Sequence, residues 1–551
     1  MERDRPSAQH RGTITGDRGG LVAAALGDTP TIVTGIGWAF FGLLVVLMIG
    51  QLFKGVDPQD EGQFLTYPWL IAHGYMPYRD VWMSYPPAVY CMLAVLFKLG
   101  LPGLAAERGM ALLSVLAYVL LVNRLVTGAW ARFSWVAVPL TYSMIFMSSD
   151  IRAYPWLLGL PLFLLGLHLV RAAPAAAACL FFFGGTLRFE FVAGGLVALA
   201  VSTVLPGTGR GRPLRLLAIA LALTAVTVAF YLVLDAVTAH RALQAIFFDQ
   251  VGGVEAARRL PLFPPQFSPL GWPALLLSFL GPVAMVAVGL RTRRGDVAAM
   301  SLAVLALSPH FFQRADSSHL FSFAALAAPC TMVALAEIAR HASGISQAGS
   351  RFASRWPFAV SNALLRYTAI AGAGWSTLIV AAYAVYLSPL SPLAPAPISG
   401  LHSRLVAQGA RTIIAWNPDI ARDDRQIASF LHHRASSSQS VFITPLSVNP
   451  RGAVHFYYTM TDLYYVLGMK PASRYLEMQG GVSTRPSVLG GLMHDLQHCD
   501  WVVLLHGGAW YTGPRAYRDA DALAYERYIH RHFRPVLSNP TYQLMARGTG
   551  A

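Results

Sequence analysis

Acidic side chains stand at the ends of long apolar stretches in this chain of 551 residues. The pair Asp60-Glu61 follows the first apolar run, and Asp150 follows a later one. Carboxylates on two such loops can converge on one pocket, where they take a proton from an acceptor hydroxyl or hold a divalent cation. We therefore predict Asp60, Glu61 and Asp150 as catalytic groups, and the choice between a base and a metal site stays open.

Basic and aromatic side chains lie beside these acids. Arginines next to carboxylates can bind a phosphate in a bidentate manner. Each group also has a structural alternative: a local ion pair for Asp150 and Arg152, a helix cap for Asp316, a pair in a broken helix for Arg188 and Glu190, and an interfacial aromatic belt for the tyrosines. The predicted substrate-binding residues are Tyr78, Arg79, Asp80, Tyr85, Arg152, Arg314, Asp316 and His319.

The composition is that of an integral membrane protein. Hydrophobic residues make up 55% of the chain and charged residues 13%, which favours a membrane protein over a soluble one. The net charge is +15, but the arginines lie in short loops between apolar runs, as the positive-inside rule predicts, so nucleic acid is not an expected partner. The four cysteines show no metal-ligand spacing.

The apolar runs predict about eleven membrane spans, with the N-terminus in the cytoplasm. Residues 86–100 are too short to cross, and residues 175–205 predict two half-helices, because Arg188, Glu190 and two Gly-Gly pairs interrupt them. This topology puts Asp60 and Asp150 on the outer face. Besides the half-helices of residues 175–205, the predicted spans are residues 32–53, 108–126, 130–147, 155–170, 213–237, 269–290, 297–312, 320–338 and 367–387.

After residue 388 the long apolar runs stop and charged residues become more frequent. Short β-rich runs at 440–444 and 501–506 alternate with helical patterns at 423–433, 487–496 and 519–532, a pattern typical of an α/β domain. We predict a mainly α fold, a polytopic helical bundle with a C-terminal α/β domain outside the membrane. The predicted divisions are a cytoplasmic tail (1–30), a transmembrane unit (31–388), a Pro-rich linker (389–400) and an external domain (401–551).

One stretch, DEGQFLTYPWLIAHGYMPYRDVWMSYPPAVY, resembles the first external loop of GT-C membrane glycosyltransferases of the protein-mannosyltransferase and aminoarabinose-transferase group. The likeness lies in Asp60-Glu61, in the segment from Gly74 to Asp80, and in Tyr85-Pro86-Pro87. It implies a polyprenyl-phosphate sugar donor, inversion at the anomeric carbon, and Asp60 as the catalytic acid-pair member. The aminoarabinose branch has Lys where this chain has Tyr85, so Lys98, Arg79 or Arg314 would bind the donor phosphate.

From these observations we predict a glycosyltransferase of a bacterial inner (plasma) membrane. Its donor is a polyprenyl-phosphate sugar, its acceptor a glycan, lipid or protein, and its product part of the cell envelope. A transporter or flippase of a lipid-linked sugar is the alternative, since broken helices also suit that class. A third possibility, a membrane-anchored binding protein, leaves the acidic loop without a role.

Overall fold

The structure is a computed structural model. It describes residues 42–130, 152–205, 212–255, 271–291, 295–313, 319–330, 398–505 and 527–548, with short internal gaps at 43–44, 47, 59, 321, 328, 416, 437, 445, 449–453, 457–459, 478–481 and 483–484. Three predicted site residues, Asp150, Arg314 and Asp316, lie outside the described residues. The predicted span at 367–387 also lies outside them, as does the span at 130–147 except for residue 130. Most of the Pro-rich linker is outside them too.

The first part of the chain is mainly helical in the described residues, with non-helical loops such as residues 73–87. Its helices are α1 (Asp60–Ala72), α2 (Ala88–Lys98), α3 (Gly103–Trp130), α4 (Pro155–Leu169), α5 (Pro174–Leu187), α6 (Glu190–Val204), α7 (Arg212–Val237), α8 (Gly271–Arg291), α9 (Gly295–Leu305) and α10 (Pro309–Gln313), with a π-helix at Gln244–Glu255 between α7 and α8.

Among the described residues, three helical segments are long and apolar enough to cross a membrane, namely Gly103–Leu125, Pro213–Val237 and Gly295–Phe312. Several shorter apolar helices, including α4, α5 and α6, pack beside them. The mainly helical, membrane-type architecture is thus confirmed, and the number of spans stays a prediction. Helix α2 has only 11 residues, fewer than the roughly 20 that a crossing helix needs.

The apolar helices enclose a core of their own. Helix α4 packs against α3 and α5, and α9 packs against α6 and α8. The predicted break in residues 175–205 is confirmed, because α5 ends at Leu187 and α6 begins at Glu190. Arg188 lies at this break, and its side chain pairs with that of Glu190.

The C-terminal α/β region (residues 398–548) contains a mixed sheet. Its elements are α11 (Ile398–Arg404), β1 (Leu405–Gln408), β2 (Arg411–Ile414), α12 (Pro418–Arg434), β3 (Ser440–Thr444), β4 (Leu446–Val448), β5 (Val454–Phe456), α13 (Thr461–Leu467), β6 (Lys470–Pro471), α14 (Pro486–Gln497), β7 (Trp501–Leu505), β8 (Phe533–Ser538) and β9 (Tyr542–Arg547).

The five-stranded sheet has the order β6-β3-β7-β9-β8. Strand β3 is parallel to β6 and β7, whereas β9 is antiparallel to β7 and β8. Both predicted strands are therefore confirmed, and they are neighbours. Helix α12 begins where the sequence provides a cap, because the side chain of Asn417 accepts a hydrogen bond from the Ile420 amide at 2.9 Å and Pro418 occupies the first turn.

The two parts of the chain share one hydrophobic core. Buried residues of α1, such as Phe64 and Leu65, belong to the same cluster as Leu463 and Tyr464 of α13. Helix α1 is buried along most of its length and lies between α2 and α13. The α/β region therefore packs directly on the acidic loop, in addition to any connection through the linker.

Asp424 of α12 has a buried carboxyl group, and we expect it to make the stability of the α/β region depend on pH. It accepts a hydrogen bond from the Tyr542 hydroxyl at 2.7 Å, and burial raises its pKa to about 7. The folded chain thus holds this proton more tightly than the unfolded chain, so the stability that the group contributes falls as pH rises from about 4 to about 7. We expect Asp424→Asn to raise the thermal midpoint by several degrees at pH 8 and by much less at pH 5.

The measurement is thermal unfolding of the purified chain at both pH values. Asp419→Asn, on the same helix but 78% exposed at its side chain, is the control and should follow the wild type at each pH. A gain for Asp424→Asn that is the same at pH 5 and pH 8 would contradict the assignment of the raised pKa to this residue.

Candidate functional site

The acidic loop begins with a reciprocal cap on helix α1. The Asp57 carboxylate accepts a hydrogen bond from the Asp60 amide at 2.8 Å, and the Glu61 carboxylate accepts one from the Asp57 amide at 3.1 Å. Such an arrangement satisfies amides that would otherwise lack partners at the start of a helix. It also fixes the backbone of Asp60 in the first turn.

Asp60 and Asp57 face one guanidinium group. Arg152 Nη1 lies 3.3 Å from Asp57 Oδ2 and 3.8 Å from Asp60 Oδ2. Both distances are longer than the 2.7–2.9 Å or so of a tight charge-assisted hydrogen bond. The Asp60 side chain is 41% exposed, and that of Arg152 is 14% exposed. The structure thus brings together predicted residues from two segments of sequence, with Asp60 accessible to a ligand.

Glu61 points in the opposite direction, into the protein. Arg108 Nε donates to Glu61 Oε1 at 2.6 Å, and both side chains are less than 5% exposed. The Nη1 group of Arg108 also donates to the carbonyls of Leu52 and Lys54, at 2.6 and 2.8 Å. Glu61 therefore joins α1 to α3 and to the segment that precedes the loop. Its predicted catalytic role stays a prediction, and in this geometry both of its carboxylate oxygens accept hydrogen bonds from protein groups.

Glu107 lies next to this ion pair. Its carboxylate accepts a hydrogen bond from the Ala153 amide, and it is near enough to Glu61 for the two carboxylates to interact electrostatically. Ala153 follows Arg152 directly, so Glu107 anchors the backbone that carries the arginine. Glu107 and Arg108 are not among the predicted site residues, although the sequence holds a signal for them: they are charged residues inside an otherwise apolar helix, a placement that generally has a reason.

Tyrosine hydroxyl groups make two hydrogen bonds at the end of the loop. The Tyr78 hydroxyl donates to the Tyr85 carbonyl at 2.6 Å, and the hydroxyls of Tyr85 and Tyr154 lie 2.7 Å apart. Burial raises the pKa of Tyr85, and Tyr154 and Asp60 act in the same direction, whereas Arg188 opposes them. Tyr85 consequently keeps its proton and can donate it in a hydrogen bond.

The guanidinium group of Arg188 lies against two aromatic rings of this cluster. Its guanidinium carbon lies 5.4 Å from the centre of the Tyr85 ring and 6.0 Å from that of Trp156. Its Nη2 atom is 2.5 Å from Glu190 Oε1. These distances fit a cation stacked on aromatic faces and neutralised by one carboxylate. The structural alternative for Arg188 and Glu190 as a pair at the helix break agrees with this arrangement.

Two histidines continue the cluster. The His310 ring stacks on Trp156 with the ring centres 3.9 Å apart, and the His319 ring lies 5.1 Å from that of His310. The predicted residue His319 is thus linked to the site through the rings of His310 and Trp156, which are not among the predicted site residues. His310 and Trp156 could not be recognised by type alone, because each is also common in a buried core.

Arg79 and Asp80 form a separate turn. Asp80 accepts hydrogen bonds from Arg79 and from the Met76 amide, all at 2.8 Å, and the hydrogen bond from Arg79 lowers the pKa of Asp80. Tyr78, between them and Met76, has a φ of +61°, which a bulky residue adopts only when its surroundings require it. The PYRD segment thus shapes the loop backbone, and its ion pair is apart from the contacts of Asp60.

The described residues contain no set of ligands for the predicted divalent cation. No group of three or more His, Cys, Asp or Glu side chains with suitable spacing occurs in that part of the chain. Asp57 and Asp60 come together, but the guanidinium of Arg152 lies where a cation would neutralise them. The other predicted acid, Asp150, lies outside the described residues, so the divalent cation stays a prediction, and no step below uses one.

Comparison with solved structures identifies the fold. A crystal structure of ArnT from Cupriavidus metallidurans bound to undecaprenyl phosphate aligns with a TM-score of 0.52 and 14% identity, over 93% of this chain and 98% of ArnT. The apo structure of the same protein aligns with a TM-score of 0.52 and 13% identity over the same shares. This chain has the GT-C fold.

The resemblance that the loop motif predicts is therefore confirmed at the level of the fold. The archaeal oligosaccharyltransferase AglB from Archaeoglobus fulgidus, in complex with an inhibitory peptide and a dolichol-phosphate, aligns with a TM-score of 0.41 and 14% identity, over 84% of this chain and 69% of AglB. No protein-family model and no curated protein sequence matches the chain.

Proposed function

We propose that this protein is a glycosyltransferase that moves a sugar from a polyprenyl-phosphate donor to a hydroxyl acceptor at the outer face of a bacterial inner membrane. The observation that carries the proposal is the pairing of an accessible carboxylate, Asp60, with Arg152 at the start of a helix whose sequence resembles the first external loop of this enzyme class. The shared fold supports it, because ArnT was crystallised with undecaprenyl phosphate.

The proposed reaction is a single displacement at the anomeric carbon. Asp60 accepts the proton of the acceptor hydroxyl as its oxygen bonds to that carbon. The bond from the carbon to the phosphate oxygen breaks, and its electron pair leaves with the polyprenyl phosphate. Because attack and departure occur on opposite faces, the anomeric configuration inverts.

Arg152 is the cation for the departing phosphate. The phosphate gains a negative charge as the bond breaks, and a guanidinium beside it stabilises that charge. Arg152 Nη1 lies 3.3 Å from Asp57 Oδ2 and 3.8 Å from Asp60 Oδ2, so a cation stands beside the proposed base. Tyr85 adds a hydroxyl donor whose pKa burial raises, at the position where the aminoarabinose branch has Lys.

The experiment that tests this function separates transfer from transport. Purified full-length protein is incubated with undecaprenyl-phosphate-linked hexoses and pentoses and with a detergent extract of envelope glycolipids as acceptor. We expect release of undecaprenyl phosphate and covalent transfer of the sugar, with inverted configuration by NMR. In a parallel arm, proteoliposomes carry a fluorescent analogue of the same donor. Movement of the analogue between leaflets without any release of undecaprenyl phosphate would make the protein a flippase and would end the proposal.

A further inference from the structure

The C-terminal α/β region holds the start of the acidic loop through its backbone. The Val56 amide donates to the Ile414 carbonyl at 2.7 Å. The Pro58 carbonyl accepts two hydrogen bonds, from the Thr461 hydroxyl at 2.6 Å and from the Asp462 amide at 3.2 Å. Pro58 precedes Asp60 by two residues, so these contacts act directly on the chain that carries the exposed carboxylate.

The same region also holds the far end of the loop. The Trp82 amide donates to the Arg474 carbonyl at 2.8 Å, and the Arg474 guanidinium donates to the Tyr78 carbonyl at 3.0 Å. A further ion pair, between Arg485 and Asp249 at 2.5 Å, ties the region to the π-helix, and Asp249 in turn accepts from the Trp82 indole at 3.1 Å. Both ends of the loop thus depend on residues about 400 positions later in sequence.

Gly62 lets helix α1 approach α13 closely. A Cβ atom at this position would lie 2.5 Å from the Asp462 amide nitrogen and 2.6 Å from the Thr461 hydroxyl oxygen. One turn further along α1, the Thr66 hydroxyl donates to the Thr461 carbonyl at 2.5 Å. Thr461 therefore contacts α1 and the segment before it with two different groups, and a side chain at Gly62 would push both away.

We propose that Thr461 and Gly62 are positioning residues for Asp60, so that the α/β region sets the geometry of the catalytic carboxylate. The role rests on the proposed function, in which Asp60 is the base. The Asp60 side chain is carried by the first turn of α1, so any shift of that backbone moves the carboxylate. That backbone is held by the Asp57 cap within the loop and by Thr461 from outside it.

Gly62→Ala separates positioning from a simple loss of helix stability. Alanine favours a helix relative to glycine, so the substitution strengthens α1 locally while it displaces α13. We expect kcat for sugar transfer to fall by about tenfold or more with the KM for the donor unchanged, because a shift on the order of 1 Å in a reacting group is enough for such a loss. Gly490→Ala, on α14 with open space around the site of the added Cβ, is the control and should keep the wild-type rate.

Two variants, Thr461→Val and Thr461→Ser, test whether the Thr461 hydroxyl group is required. Valine keeps the shape but cannot donate to Pro58, whereas serine keeps the donor. We expect Val to lower kcat in the same way as Gly62→Ala and Ser to restore most of it. Hydrogen exchange gives a readout independent of turnover: the amides of residues 60–62 should exchange faster in Thr461→Val than in the wild type or in Thr461→Ser.

Each result decides the proposal. Faster exchange at residues 60–62 with a lower kcat supports it, and unchanged exchange or an unchanged kcat in Thr461→Val overturns it. If the wild type transfers no sugar from any donor, the proposed function fails together with the positioning role, and faster exchange in Thr461→Val then identifies the contact as structural only.

Discussion

Replacing Asp60 with Asn is expected to lower the rate of sugar transfer by at least about 100-fold, the usual loss when a positioned general base is removed. Asparagine has nearly the same shape but cannot accept the acceptor proton. The fold should not suffer, because the α1 cap uses the Asp57 carboxylate and the backbone amide of residue 60. The Asp60 carboxylate itself is 41% exposed, and exposed ion pairs stabilise proteins only slightly.

The rate is measured as undecaprenyl phosphate released from the donor, together with the thermal midpoint and the binding of undecaprenyl phosphate. We expect the last two to match the wild type, so that the loss appears in kcat. Asp419→Asn is a matched control, since it makes the same change at an exposed acid that is also paired with an arginine, 3.1 Å from Arg422. A rate for Asp60→Asn within about threefold of the wild type, well short of the 100-fold expected for a base, would exclude Asp60 as the base.

The sequence alone predicts much of this architecture, for reasons that can be stated residue by residue. The break at Arg188 and Glu190 is visible because charges and Gly-Gly pairs interrupt an apolar run, and the structure places the helix break there. Strands β3 and β7 are visible as short β-branched runs between helical patterns. In each case the signal is local, since neighbouring residues determine it.

The direction of each acid in the loop is not a local property. Asp60 and Glu61 are adjacent and of the same type, and a helix turns successive side chains by roughly 100°, so one faces outward and the other inward. Which one faces inward depends on Arg108, 47 residues away. The contact between Pro58 and Thr461 spans 403 residues, and nothing in either segment alone predicts it. The α/β region therefore looked separable in sequence, whereas its core is continuous with that of the loop.

The second large expected effect is the loss of folding stability when Glu61 is replaced. Replacing it with Gln should destabilise the protein by about 3–5 kcal/mol, the cost of leaving one member of a buried ion pair unpaired. Gln has one oxygen for the two donors, so when it keeps the hydrogen bond from the Asp57 amide its NH2 group faces Arg108, and the loss reflects the unpaired guanidinium rather than the cap. The measurement is thermal unfolding of the purified chain, with a midpoint lower by several degrees than that of the wild type.

The double variant Glu61→Gln with Arg108→Gln distinguishes a positioning role from catalysis. Two glutamines can hydrogen-bond to each other, carry no charge, and leave a donor for the Leu52 or Lys54 carbonyl. The double variant removes the guanidinium that Glu61→Gln leaves without its partner, so we expect the thermal midpoint to recover most of the loss while Glu107 keeps its hydrogen bond from the Ala153 amide. If Glu61 only positions α1, sugar transfer recovers with stability, because Asp60 and Arg152 are untouched. A double variant that regains stability but transfers sugar no faster than Asp60→Asn would make Glu61 a catalytic group after all, as its place beside Asp60 in the sequence predicts.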